Sequence, residues 1–202
     1  MCCAELLSPA PLERAMPSRQ PPIALPTPAT LPDIEPGQLW LIELPGGTSA
    51  AAPQLSRILD RANVAIYDRS LAATVAAALP PGGYAEAADD PGDKSAARSV
   101  RLARDGWSVV RLVPAAPSHS ERAGRVEGVV AALAATRVPG DLAVRVFAEG
   151  AAGLLELATT RLDRLAPLIA AHRRETRLTI VIGAVGAAAA RLHAVAGNGL
   201  AG

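Results

Sequence analysis

Apolar positions along this chain fall into two alternating patterns: short unbroken runs, and longer stretches that carry a single apolar face. Leu39 to Ile42, "LWLI", is a short run of the kind expected of a strand covered on both sides. After the loop from Glu43 to Thr48, the residues Leu55, Ile58, Leu59 and Ala62 recur on one helical face, with Pro53 in the first turn. "NVAIYD" is a second strand, and Leu71, Val75 and Leu79 mark a helix that ends at "PPGG". Tyr84 to Ser95 reads as a loop holding at most one poor strand. Ala96 to Arg104 reads as a helix closed by Gly106 in a left-handed conformation, followed by the strand "WSVVRLV". A helix starting near Ser120 then shows Val126, Val129, Val130 and Leu133 on one side, and "DLAVRVFAEG" is a fourth strand. The spacing of Thr160 and Asp163 predicts a capping box for a helix carrying Leu165, Leu168 and Ile169, with Pro167 kinking it or displacing its start. "LTIVIG" is the last strand and "AVGAAAARLHAVAG" a terminal helix. Strands alternating with helices at this spacing predict an α/β fold with parallel pairing and right-handed crossovers.

Half of the 18 prolines lie between Met1 and Pro36, where neither period is present. Residues 1–36 therefore read as an extended, mostly disordered leader, because proline removes backbone donors and little apolar surface offsets the ordering cost. Within it "RQPPIALPTPATLP" is either a ligand for a proline-binding domain or a plain flexible tail, and Met16 is an alternative start. The remaining chain divides into an α/β domain over 37–140 and a smaller C-terminal part over 141–202.

Composition narrows the function classes. A net charge of +1 and only five aromatic residues argue against a nucleic-acid surface, which needs concentrated cations and stacking platforms. The basic cluster "AHRRETR" falls at a predicted helix end, where the helix dipole explains it. Cys2 and Cys3 are neighbours with no distant partner, so neither a disulfide framework nor metal-ligand spacing exists, and a cytoplasmic location is expected. The longest apolar run, "LTIVIGAVGAAAA", falls short of the ~20 residues of a membrane helix. His119, His172 and His193 are scattered, Asp89, Asp90 and Asp93 lack calcium-loop spacing, and Ser118-His119-Ser120 reads as a polar loop. Gly183-Ala184-Val185-Gly186 lacks the third glycine and the acidic residue of a dinucleotide fingerprint.

Taken together, "GQLWLIELPGGTSAAAPQLSRILDRANVAIYDRSLAATVAAALPPGG", "ARDGWSVVRLV" and "TTRLDRLAPLIAAHRRETRLTIVIGAVGAAAARL" resemble framework segments of the tetrapyrrole methylases, typified by uroporphyrinogen-III C-methyltransferase. Tyr67 and Asp68 fall on that family's Tyr-Asp pair, and Arg122 and Gly124 on its Arg-Gly-Gly stretch. The family's first loop, Gly-x-Gly-Pro-Gly-Asp-Pro, is Glu43-Leu44-Pro45-Gly46-Gly47-Thr48 here, and its Gly-Gly-Asp-Pro loop is Pro114-Ala115-Ala116-Pro117. The resemblance implies a parallel or mixed sheet with flanking helices. Too little sequence lies between Leu133 and Val144 for the family's whole second domain, so a truncated second domain is expected. The resemblance further implies two readings of function. In one, the chain is a degenerate, non-catalytic binding or scaffold protein of the sirohaem or cobalamin pathway, with a tetrapyrrole ligand or a homodimer as its partner. In the other, it transfers methyl from S-adenosylmethionine to uroporphyrinogen III, with Pro45, Gly46 and Gly47 at the cofactor and Asp68 and Arg122 orienting the substrate.

Overall fold

The computed structural model describes residues 29–45, 52–88, 93–116, 118–150, 153–171 and 177–185. In chain order the elements are β1 (Leu39–Leu44), α1 (Ala52–Arg61), β2 (Val64–Asp68), α2 (Ala72–Ala78), β3 (Ala85–Ala88) and α3 (Asp93–Arg104). They continue as β4 (Val109–Pro114), α4 (His119–Ala135), β5 (Ala143–Gly150), β6 (Gly153–Arg161), α5 (Leu162–Ala171) and β7 (Arg177–Ile182). The seven strands form one mixed sheet in the order β3-β2-β4-β1-β7-β5-β6.

The half containing β3, β2, β4 and β1 is parallel, while β7 runs antiparallel to both β1 and β5, and β6 antiparallel to β5. Residues on both sides of position 140 therefore share one hydrogen-bonded sheet, with Leu39 opposite Ile182 and Val144 on the far side of that same residue.

Strand alternation sorts the interior into two layers. Leu39 and Leu41 of β1, Val109 and Val113 of β4, and Leu178 and Ile180 of β7 face Val126, Val129, Leu133, Leu165 and Ile169 of α4 and α5. Trp40, Ile42, Val110, Leu112, Phe147 and Val181 face the opposite way, onto Leu55 and Leu59 of α1 and Val75 of α2. In the parallel half, helices thus lie on both faces, which explains why its strands read as unbroken apolar runs.

The one poor strand allowed for between Tyr84 and Ser95 is β3, an edge strand whose four residues are all only partly buried. Two expectations change. Thr160 does not begin a capping box. It lies in β6 opposite Val144, and α5 starts directly after Arg161, with Asp163 N donating to Gly140 O at 2.9 Å. The helix runs through Pro167, from Leu162 to Ala171. The end of the leader is also placed: Leu31 and Ile34 pack on the α1-side core, Ala29 N donates to Leu154 O at 2.9 Å, and Asp33 pairs with Arg61 at 2.9 Å. Two branched apolar side chains bury enough surface there to hold an extended segment. Gly106 has the expected left-handed φ of 94° after α3. The terminal helix lies outside the described residues from position 186 onward. Among the described residues, no helix is long and apolar enough to cross a membrane.

Candidate functional site

Chain connectivity singles out one place on the sheet. After β1 the chain leaves through α1 toward β2, and after β4 it leaves through α4 toward β5 on the other side, so β1 and β4 are neighbours whose connections diverge. The carboxyl ends of such a strand pair form the switch point where open α/β sheets bind ligands.

Among the described residues, this switch point holds a buried ion pair beside the sheet. Glu43 is the fifth residue of β1, and alternation turns it toward α4. Its Oε1 accepts from Arg122 Nε at 2.9 Å, and its Oε2 accepts from Leu178 N of β7 at 3.1 Å. Both side chains of the pair are 5% exposed. The β1–β4 ladder extends to Leu44 opposite Pro114, and Ala115 N donates to Leu44 O at 2.7 Å. The two strands therefore stay paired to their carboxyl ends.

A second charged row flanks this pair. Asp68, at the end of β2, accepts from Ser70 Oγ at 2.6 Å and from Ser70 N at 2.9 Å. The bond from the Ser70 side chain, opposed by partial burial and helped by the Ser70 backbone and by Arg125 and Arg111, holds its carboxyl below the usual range. Arg111 of β4 is buried, and desolvation together with the nearby Arg125 lowers its pKa against the opposing pull of Asp68. Arg125 donates to Pro114 O and to Glu121, its partner one turn earlier on α4. Ser118 caps this helix, its Oγ accepting from Glu121 N at 3.2 Å.

The cavity lined by Glu43, Arg122 and Arg125 measures about 10 Å³, as does the one lined by Asp68, Arg111 and Arg125. Either is at the ~10–15 Å³ lower limit for holding one water.

Of the residues singled out in the sequence, Arg122 is drawn inward to Glu43, whereas Asp68 lies at the outer end of its strand. The two stand in separate charged groups, each next to Arg125. Pro45 is half-buried just past β1, and Gly46 and Gly47 lie outside the described residues. Pattern reasoning placed Glu43 in a loop and did not single out Arg111 or Arg125. A charge inside an apolar strand was the available signal for the first two, and spacing three residues beyond Arg122 for the third. Among the described residues, no three His, Cys, Asp or Glu side chains are grouped to hold a metal.

No family profile matches this sequence, and no curated protein matches it. Among solved structures, uroporphyrin-III-C-methyltransferase from Thermus thermophilus is similar at 15% identity and a TM-score of 0.36, over 77% of this chain and 96% of that one. Cobalt precorrin-4 methyltransferase, a cobalamin biosynthetic enzyme, is similar at 14% identity and a TM-score of 0.29, over 73% of this chain and 95% of that one.

Proposed function

We propose that this protein is a non-catalytic member of the tetrapyrrole methylase lineage that acts in a sirohaem or cobalamin pathway by binding a tetrapyrrole or a partner protein. One observation carries the reading: the buried Glu43–Arg122 pair, locked to Leu178 N, fills the switch point between β1 and β4. A nucleoside cofactor needs a cleft of roughly 300 Å³ or more, and the described part of this edge offers about 10 Å³ beside each charged group. The residues present there do not fit S-adenosylmethionine. Emptying the space would break a desolvated ion pair, at a cost of roughly 3–5 kcal/mol.

The competing reading keeps a methyltransferase, with Pro45, Gly46 and Gly47 at the cofactor and Asp68 and Arg122 at the substrate. What favours it is the outer position of Asp68, ionised beside Arg125 and Arg111. Isothermal titration with S-adenosylhomocysteine separates the two. The non-catalytic reading expects no heat at millimolar ligand from protein shown to be folded by circular dichroism. Micromolar binding that Gly46→Val abolishes would restore the methyltransferase reading and call for an assay with uroporphyrinogen III.

A further inference from the structure

A wide cavity among the described residues lies away from the switch point, on the opposite face of the sheet. A groove of about 660 Å³ runs between the 29–34 segment and α1, which is within the ~300–1,000 Å³ range of small-molecule sites. Leu31, Ile34, Trp40, Ile58 and Leu154 make its apolar lining. Trp40 is completely buried, and its Nε1 donates to Gln38 Oε1 at 2.9 Å, which fixes the ring at the bottom of the groove.

The polar lining comes from α1, Thr30 and Asp33, and its charged groups from α1 and Asp33 alone. Gln54, Arg57, Ile58 and Arg61 recur at helical spacing and so share one flank of α1. Arg61 is already neutralised by Asp33 at 2.9 Å. Arg57 is the remaining cation on the wall, and no ion pair or hydrogen bond engages it among the described residues. Gln54 lies one turn before it and adds an amide donor. Asp60, on the turn after Arg57, is the remaining anion.

We propose that this groove binds a monoanionic amphipathic carboxylate, with its apolar body over Leu31, Ile58 and Leu154, above the buried Trp40 ring, and its carboxylate on Arg57 and Gln54. A guanidinium offers paired donors that match a carboxylate, and the apolar lining receives the rest of the molecule. Asp60 sets the charge: one free cation beside one carboxylate favours a single negative group and repels a polyanion. This site is independent of the function proposed above, because it shares no residue with Glu43, Arg122, Asp68 or Arg125.

The chain contains two tryptophans, Trp40 in the groove and Trp107, which is exposed. Full-length Trp107→Phe protein therefore reports on Trp40 alone. Titration with decanoate should change Trp40 fluorescence saturably, with decanol and citrate each binding at least about tenfold more weakly. Arg57→Gln, at an exposed position that leaves the fold intact, should weaken decanoate about tenfold, and Asp60→Asn should tighten it about two- to fivefold. Equal binding of decanol, an unaltered decanoate affinity in Arg57→Gln, or no saturation at millimolar decanoate would each overturn the proposal. So would displacement of decanoate by a synthetic peptide of residues 1–28, which would assign the groove to the chain's own leader.

Discussion

At the scale of single residues, the Glu43–Arg122 pair is the feature with the largest expected effect. Both groups are desolvated, and Leu178 N depends on the same carboxylate. Removing one partner leaves a buried charge without compensation, whereas removing both leaves an apolar gap of similar shape. Arg122→Met should therefore cost about 3–5 kcal/mol in urea unfolding, and Glu43→Leu combined with Arg122→Met should recover part of that loss, short by the roughly 1–3 kcal/mol of a Leu178 N left without its acceptor. A single-variant loss below about 1 kcal/mol would mean that water already reaches the pair. Glu43 also shows the limit of reading a loop from its sequence. Placed in a Pro-Gly-Gly loop by its neighbours, it belongs to β1, because the β4 ladder continues past it to Leu44 and Pro114.

At the scale of elements, α4 is set by its first turn. Ser118 adopts an extended backbone and accepts from Glu121 N, and Glu121 places a negative charge at the positive end of the helix. Ser118→Ala should lower stability by about 1 kcal/mol in thermal melts, with Ser118→Asp close to the parent, since aspartate caps equally well. A melt unchanged by the alanine would show that packing of Val126, Val129 and Leu133 alone sets where the helix begins.

Elements with a clean period were legible in advance: β1, β2, β4, β5, β7 and the helices carrying Leu55, Val75, Val129 and Leu165. The strand that was not, β6, contains Leu154, Leu155 and Leu157, and the cause is physical. Val146 pairs with Ala158 but Phe147 pairs with Glu156, so Leu157 is the extra residue of a bulge and the period of two is broken. An edge strand also carries no covering layer on its free side, which removes the apolar run that marks a central strand. The hairpin turn left a weaker trace, glycines at 150 and 153, the latter with a φ of 94°. At the switch point, the ion pair was invisible for a different reason: Glu43 and Arg122 are far apart in sequence, and only the fold brings them together.

At the scale of the whole molecule, one sheet joins the residues before and after position 140. β1 bonds to β4 on one side and β7 on the other, so neither part can leave without exposing the middle of both cores. Equilibrium unfolding in urea should follow a single transition, with Trp40 fluorescence and far-ultraviolet circular dichroism superimposing. Two separated midpoints would show that β5, β6 and β7 unfold as their own unit.

The position of β1 also sets a timetable for biosynthesis. It is the first strand of the sheet to be made, yet it pairs with the last, Leu39 meeting Ile182. At about 5–20 residues per second, roughly seven to thirty seconds separate the two on the ribosome. Through that interval one edge of the strand that carries Glu43 waits for its neighbour, and the carboxylate waits for Leu178 N.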